Sequence, residues 1–261
     1  MNYPNLEALI ETIRILRSEN GCAWDREQTH ETLKRNILEE AYETVDAINS
    51  KDTENLKEEL GDVLLQVLLH SQIADDNNCF NIEDVAKKLN EKLIHRHPHV
   101  FGNVKTQDTN EILANWDKLK AEEKTERKSL MDGISKSQSA LMSAQKISNK
   151  AVKVGFEWEN DEQLMDCIKS EFKEFEEAKT FEDKEEEFGD ILFALVNLAR
   201  RNRIDAEQAL IRSNKKFSAR FREMEKNADK PLVELSFEEW DNLWKKAKKE
   251  VLKKQSKEAL K

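Results

Sequence analysis

The chain has 261 residues, of which 37% are charged, and its formal net charge is −10. Because acids and bases are mixed along the chain, this composition argues against a general nucleic-acid-binding protein. No apolar run approaches the roughly 20 residues that cross a bilayer. The start resembles no signal peptide, and the three cysteines are scattered, as in reducing compartments. We therefore expect a cytoplasmic protein with neither a membrane nor a nucleic acid as partner.

The composition predicts an all-α fold, since glycine and proline number only six and three. Apolar residues recur three and four positions apart almost everywhere, and no segment shows a convincing strand-like alternation of apolar and polar residues. In chain order, this pattern predicts helices at about 4–18, 30–50, 53–76, 82–96, 110–126, 137–153, 161–179, 182–202, 205–226 and 236–254. The helices at 53–76 and 182–202 are the most apolar and should form the centres of their bundles.

Residues that stop or cap helices mark several boundaries. Asn20-Gly21 is expected to end the first helix. Thr53 and Ser236 are predicted N-caps, because their side-chain oxygens can accept hydrogen bonds from N–H groups of the first turn. Glu239 follows Ser236 at the spacing of a capping box.

An ordered set of residue types occurs twice, as tryptophan, E-x-x-E, E-x-G-D, K-x-x-x-R and W-x-x-x-K. The first copy consists of Trp24, Glu40, Glu43, Glu59, Asp62, Lys92, Arg96, Trp116 and Lys120, and the second of Trp158, Glu171, Glu174, Glu187, Asp190, Lys216, Arg220, Trp244 and Lys248. The segment at about 125–136 separates the copies. The duplication therefore predicts two similar domains, at 1–128 and 129–261.

The repeated acids stand at helical spacing. Glu40 and Glu43 share one face of a predicted helix, with Glu39 beside them, and Glu59 and Asp62 share a face of the next helix. Carboxylates gathered so closely repel one another, by about 4 kcal/mol for a pair 4 Å apart at an effective dielectric near 20. A bound cation removes this repulsion, and ligands that are all oxygen suit a hard ion such as Mg²⁺.

A glycine precedes the aspartate in both copies, at Gly61 and Gly189, inside the predicted apolar helices. Glycine in a helix interior costs roughly 0.5–1 kcal/mol relative to alanine. We therefore expect a close approach to the helix at each glycine, by the backbone of a facing helix or by a bound metal with its ligand.

The repeated bases and tryptophans complete the description of a nucleotide site. Lys92 and Arg96 lie one helical turn apart, as do Trp116 and Lys120. Arginine can hold a phosphate with two hydrogen bonds, lysine acts as a point charge, and tryptophan can stack on a base. The second copy repeats these steps with Lys216, Arg220, Trp244 and Lys248. Acids for a metal, bases for phosphates and an aromatic ring for a base together describe a nucleotide with its Mg²⁺.

Each motif alone has a simpler explanation, as a solvated helix face, a surface Lys/Arg pair or a core tryptophan, and only the ordered repeat favours a site. A ferritin-like di-iron bundle would need E-x-x-H, and the one match, Glu27 and His30, falls in a predicted loop or cap. His95, His97 and His99 alternate beside a proline and have no counterpart in the second copy. Helix capping is therefore favoured over metal ligation there.

The combined motifs resemble the MazG family of nucleoside triphosphate pyrophosphohydrolases over nearly the whole chain. The similar stretches are 21–29, 38–43, 58–62, 96–101, 154–158, 186–194 and 197–200. The resemblance implies two tandem all-α MazG-like domains and a homodimer in which helices of the partner complete the four-helix cores. It also implies Mg²⁺-dependent hydrolysis of nucleoside triphosphates to the monophosphate and pyrophosphate.

The resemblance further implies roles for the repeated residues. Those that match the metal-binding acids of the family are Glu40, Glu43, Glu59, Asp62, Glu171, Glu174, Glu187 and Asp190. Those that match its nucleotide-holding positions are Lys216, Arg220, Trp244 and Lys248, with Lys92, Arg96, Trp116 and Lys120 as their first-domain analogues.

The second copy departs from the family pattern at three places. Ser170 precedes Glu171 where a double glutamate is common, Cys167 stands where lysine is frequent, and Lys184 is displaced by one residue. The first copy keeps Glu39 beside its acidic pair. The first domain therefore keeps more of the expected metal-site residues than the second.

The expected reaction is in-line attack of water on the α-phosphorus, with one or two Mg²⁺ ions, or Mn²⁺, on each acidic quartet. The candidates for the carboxylate that orients the water are Glu39, Glu40, Glu43, Glu171 and Glu174. Because a stacked base is read loosely, several NTPs and dNTPs should be accepted. The alternative hypotheses are a catalytically decayed nucleotide-sensing or scaffold dimer and a purely structural helical bundle.

Overall fold

The computed structural model describes residues 3–123 and 128–258, with side chains to residue 254. These residues form helices and no strand, which confirms the all-α class. The chain divides into two compact units, Met1–Thr125 and Glu126–Lys261. The start of the predicted connection at 125–136 and the end of the predicted helix at 110–126 lie outside the described residues.

Unit 1 contains seven helices in its described part. They are α1 Pro4–Arg17, α2 Ala23–Glu27, α3 Lys34–Ser50, α4 Thr53–Asp76, α5 Ile82–Arg96, α6 Pro98–Phe101 and α7 Thr109–Glu122. Its core lies where α1 meets α4 and includes Ile13, Leu68 and Ile73, with Leu33 from the turn before α3. Helix α4 also packs along α3, so the apolar helix predicted at 53–76 is central to this unit.

Unit 2 contains five α-helices and one short 3₁₀ turn, Leu232–Glu234, in its described part. The helices are α8 Ala140–Val152, α9 Asp161–Glu177, α10 Phe181–Arg201, α11 Ala206–Asn227 and α12 Phe237–Glu258. Leu164 and Ile168 of α9 pack with Ala194 of α10. A buried hydrogen bond of 2.5 Å from the Ser148 hydroxyl to the Asn197 side-chain oxygen joins α8 to α10.

The structure differs from the predicted elements mainly at short segments. Helices α2 and α6 and the 3₁₀ turn were not predicted, because three to five residues do not display a helical period. Helix α3 begins at Lys34 rather than near residue 30. The side chains of Thr29 and Thr32 accept hydrogen bonds from each other's backbone N–H groups, which favours a turn there.

One predicted cap is confirmed and another is wrong. The Ser236 hydroxyl accepts from the Glu239 N–H, and the Glu239 carboxylate accepts from the Ser236 N–H at 2.7 Å. The N-cap of α4 is Asp52 instead of Thr53, since the Asp52 carboxylate accepts from the N–H of Asn55 at 3.1 Å. A carboxylate there also interacts favourably with the positive end of the helix dipole.

The two repeated glycines are not covered by a facing helix in the described chain. A methyl group in place of a hydrogen on Gly61 or Gly189 would meet no atom within 4 Å. Within the described chain, no facing backbone therefore makes the expected close approach, because both glycines face outward from their helices. An approach by a bound metal with its ligand stays a prediction.

Apolar side chains on the same two helices are also exposed. They include Leu60 of α4, 52% exposed, and Phe188 and Leu192 of α10, 51% and 42% exposed. No helix among the described residues is both long and apolar enough to span a membrane.

Candidate functional site

In unit 1, three glutamates from two packed helices form a carboxylate cluster. Glu40 and Glu43 lie one turn apart on α3, and Glu59 lies on α4. One carboxylate oxygen from each residue lies within 4.8 Å of the other two. The spacing of three residues puts Glu40 and Glu43 on one face of α3, and the packing of α3 on α4 brings Glu59 to them.

Two other predicted acids of unit 1 lie beside this cluster. Asp62 follows Glu59 by almost one turn of α4, and its charge raises the pKa of Glu40. Glu39 is exposed and accepts a hydrogen bond of 2.7 Å from the Nε of Arg35. Glu39 therefore has a basic partner on its own helix, whereas the clustered glutamates face other acids.

The electrostatics of the unit 1 cluster follow from crowding. The pKa of Glu40 is raised, first by burial and then by the charges of Asp62 and Glu43. The pKa of Glu59 is raised as well, first by burial and then by Glu43 and Asp62. Both shifts reflect the loss of hydration on partial burial together with the repulsion between neighbouring carboxylates.

Unit 2 has a similar carboxylate cluster, but a different subset of its repeated acids forms it. Oxygens of Glu171 on α9 and of Glu187 and Asp190 on α10 lie within 4.8 Å of one another. Glu174 accepts a hydrogen bond of 2.8 Å from the Ser170 hydroxyl instead of joining this group of three. The pKa of Glu187 is raised by burial first and then by the charges of Glu174 and Asp190.

Cys167 belongs to the surroundings of the second cluster. Its thiol donates to the Glu171 carboxylate over 3.7 Å, and its pKa is raised by burial and then by that negative charge. Cys167, which stands where lysine is frequent in the family, therefore lies one helical turn before Glu171. It supplies no positive charge to the acids of the cluster.

Both clusters fit a hard divalent cation. Each offers three carboxylate oxygens close enough to share one ion, and no histidine or cysteine belongs to either group among the described residues. Donor sets of oxygen alone suit Mg²⁺ or Mn²⁺. The acids that would hold it are Glu40, Glu43 and Glu59 in unit 1, and Glu171, Glu187 and Asp190 in unit 2.

The predicted arginine and tryptophan of unit 1 are in contact. The Arg96 guanidinium lies over the Trp116 ring, 5.4 Å from its centre, where α5 packs on α7. Arg96 is buried and donates from Nε to the Glu123 carboxylate at 3.0 Å and from Nη2 to the second oxygen. His95 Nδ1 lies 3.1 Å from the same carboxylate.

Unit 2 has the same arginine–tryptophan contact in different surroundings. The Arg220 guanidinium lies 5.8 Å from the centre of the Trp244 ring, where α11 packs on α12. The Phe217 ring lies 5.2 Å from the same tryptophan. The Nε atom of Arg220 is buried and has no hydrogen-bond partner.

The predicted lysines lie near these pairs along the helices. Lys92 and Lys216 are exposed, one turn before Arg96 and Arg220. Lys120 is exposed and Lys248 half-buried, one turn after the tryptophans. All eight basic and aromatic candidates thus lie on the α5–α7 or α11–α12 pair, and the acids lie on α3–α4 or α9–α10.

Among the alternating histidines, His97 makes contacts typical of a residue that caps a helix. His97 is the C-cap of α5, its Nδ1 lies 2.6 Å from the Leu93 carbonyl oxygen, and its ring packs edge-on against Trp116. The predicted capping role describes His97 well.

Glu123 was not among the predicted site residues. It follows Trp116 by seven positions, and the same step from Trp244 leads to Val251. Extending the repeated W-x-x-x-K motif by one further turn would have revealed this difference between the two copies.

Comparisons with known proteins identify the same family as the residues of the site do. A profile of the MazG nucleotide pyrophosphohydrolase domain matches residues 28–101, which include the acids of the unit 1 cluster. The chain is 46% identical over 246 residues to the nucleoside triphosphate pyrophosphohydrolase/pyrophosphatase MazG of Thermotoga maritima, covering 93% of this chain and 95% of that protein.

Two further relatives extend this likeness. A nucleoside triphosphate pyrophosphohydrolase of Escherichia coli is 38% identical, over 95% of this chain and 98% of its own length. The uncharacterized protein YabN of Bacillus subtilis is 48% identical, and the match spans 94% of this chain but 52% of YabN. Likeness of this extent and degree, together with the two acidic clusters, establishes that the chain belongs to the MazG family of nucleotide pyrophosphohydrolases.

Proposed function

We propose that this protein hydrolyses nucleoside triphosphates, both NTPs and dNTPs, to the nucleoside monophosphate and pyrophosphate. The observation that carries the proposal is the pairing, in each unit, of a carboxylate cluster with an arginine stacked on a tryptophan. The names of the Thermotoga and Escherichia relatives support the same reaction. Housekeeping of the nucleotide pool is the cellular role that fits it.

We further propose Mg²⁺, or Mn²⁺, as the cofactor, with one or two ions in each unit. Asp62 and Glu174 would complete the quartets around the two groups of three acids. When bound, the ion neutralises phosphate charge and makes water a better nucleophile. The all-oxygen donor sets and the mutual repulsion of the acids support this assignment.

In the proposed reaction, one of the acids orients the attacking water and accepts its proton. A carboxylate holds a water in line with the bond between the α-phosphorus and the bridging oxygen, and accepts its proton as the water oxygen bonds to phosphorus. The bridging bond then breaks, and its electrons leave with pyrophosphate. The candidates remain Glu39, Glu40, Glu43, Glu171 and Glu174, of which Glu40 and Glu171 combine membership of a cluster with partial burial.

The basic and aromatic residues are assigned to binding. Arg96 and Arg220, with Lys92 and Lys216, would bind the charged phosphate chain, because guanidinium and ammonium groups neutralise it. Trp116 and Trp244 would pack near the base, with Lys120 and Lys248 one turn further along each helix.

Pyrophosphate release from a panel of NTPs and dNTPs tests the proposal. We expect release that requires Mg²⁺, stops with EDTA, and falls by about a hundredfold or more in the Glu40→Ala/Glu171→Ala double variant. The matched control is Glu7→Ala/Glu162→Ala, which removes one exposed glutamate from each unit and should leave the rate unchanged. Nucleotide binding without turnover in the wild type would favour a decayed sensor or scaffold instead.

A further inference from the structure

The equivalent arginines of the two units have different polar partners. Arg96 and Arg220 occupy the same place in the repeat, and each lies over the tryptophan of its unit at a similar distance, 5.4 and 5.8 Å. Their polar partners, in contrast, are unlike. Since both arginines are assigned to phosphate in the proposed function, this difference bears directly on which unit can bind a triphosphate.

In unit 1, a carboxylate of the chain already occupies the arginine. The Arg96 Nε and Nη2 groups each donate to a different oxygen of Glu123, and His95 lies against the same carboxylate. This two-bond arrangement uses the edge of the guanidinium that would bind two phosphate oxygens. The Arg96 side chain is only 8% exposed and that of Glu123 24%, so the guanidinium side of the pair is shielded from water.

Glu123 is charged under all ordinary conditions. Its pKa is lowered to about 2, first by the hydrogen bonds from Arg96 and also by His95. A phosphate approaching Arg96 therefore meets a negative charge and has to displace it.

In unit 2, the equivalent position carries no charge. Val251 follows Trp244 by the same seven residues, on the same helix, and is 8% exposed. No carboxylate forms an ion pair with Arg220 among the side chains of residues 3–123 and 128–254, and its Nε is buried without a partner. A buried donor that lacks a partner is costly, so an incoming anionic oxygen would relieve the deficit.

We propose that the residue seven positions after the site tryptophan determines whether each unit accepts a phosphate chain: Glu123 occupies Arg96 as an internal anion, whereas Val251 leaves Arg220 open. Unit 2 then binds the triphosphate chain with higher affinity, and unit 1 binds it only when the Arg96–Glu123 pair opens. This inference rests on the proposed function, because it takes both arginines to meet phosphate. It adds Glu123 and Val251 as affinity-determining positions.

The first test measures binding to unit 1 alone. In a full-length Glu187→Gln/Asp190→Asn background, calorimetry with an α,β-methylene nucleoside triphosphate and Mg²⁺ reports unit 1. Adding Glu123→Gln should tighten binding about tenfold, because an ionic competitor is replaced by a neutral amide of the same shape. The matched control is Glu122→Gln, the same charge change at the adjacent exposed residue, which should change affinity less than twofold.

The second test reverses the change in unit 2. In the otherwise native chain, Val251→Glu should weaken binding of the same analogue about tenfold, while Val251→Gln, equal in size but neutral, should weaken it much less. Circular dichroism checks that both variants fold. If Val251→Glu does not fold, the comparison of Glu123→Gln with Glu122→Gln decides alone.

The outcomes separate this inference from the proposed function. Equal effects of Glu123→Gln and Glu122→Gln, or of Val251→Glu and Val251→Gln, in a protein that binds and hydrolyses triphosphates would overturn the inference and leave the function intact. Absence of both binding and turnover in the wild type would overturn the proposed function itself.

Discussion

At the scale of single residues, the two clusters use related but unequal sets of acids. Both acids of the first E-x-x-E motif, Glu40 and Glu43, join the close group of unit 1, whereas in unit 2 only Glu171 of that motif does. Asp190 takes the third position in unit 2. The first helix of the pair thus supplies two of the three acids in unit 1, and the second helix supplies two of them in unit 2, so equal motifs need not give equal sites.

A pair of histidines in unit 1 should make stability depend on pH. His30 and His70 stack, with their Nδ1 atoms 2.8 Å apart. Burial, and then the charge of His30, lowers the pKa of His70. Because the folded-state pKa is below the unfolded value of about 6.5, the contribution of His70 is complete above that pH and is lost as the pH falls through the folded pKa.

We therefore expect the contribution of His70 to the free energy of unfolding to decrease as the pH falls from 7.5 to 5. Replacing His70 with glutamine should make this decrease smaller, because the titrating group is removed. Urea unfolding followed by circular dichroism at several pH values measures both slopes. Parallel slopes for wild type and His70→Gln would contradict the assignment.

At the scale of helices, caps and apolar periodicity account for most boundaries. Ser236 with Glu239, and Asn160 and Asp205, each accept from N–H groups of a first turn. The boundary of α4 shows the limit of this reasoning, because two neighbouring residues, Asp52 and Thr53, are both good caps by type. Only the backbone conformation at the start of the helix distinguishes them.

This distinction predicts the effects of two adjacent substitutions. Asp52→Ala removes the acceptor for the Asn55 N–H and should destabilise the protein by about 1 kcal/mol. Thr53→Ala, at the first helical position, should change stability by a few tenths of a kcal/mol at most, since alanine favours helix. Thermal unfolding of both variants measures the difference, and a larger loss for Thr53→Ala would restore the sequence-based assignment.

At the scale of the whole molecule, the outward face of α10 is unusually apolar. Phe188, Leu192 and Leu195 are all between 41% and 51% exposed in the single chain. Contiguous exposed apolar surface of this kind favours association. We propose that a second copy of the chain covers it, which would also bring a helix to the open space at Gly189.

Light scattering tests this association. The native protein should have about twice the chain mass of 30.5 kDa. Leu192→Lys should shift it toward the monomer, because a charge would be buried in the contact. Ser213→Lys, which adds the same charge at an exposed position of α11, is the control. A native mass equal to that of one chain would rule out the dimer.

The sequence by itself determined the fold class, the long helices and the candidate residues. Helical period, capping chemistry and an ordered repeat are properties of residues close together in the chain, so they can be read without a structure. The same local reasoning missed α2 and α6, which are too short to show a period.

Only the tertiary structure decided which side chains meet. The approach of Glu59 to Glu40 and Glu43 depends on how α3 packs against α4. The hydrogen bonds from Arg96 to Glu123 depend in the same way on how α5 packs against α7. Packing sets these contacts through rotations and translations of whole helices, and a single turn exchanges one partner for another. The repeat in the sequence therefore predicts two similar sites, and the structure shows that the difference between Glu123 and Val251 falls where it gives the two arginines unlike partners.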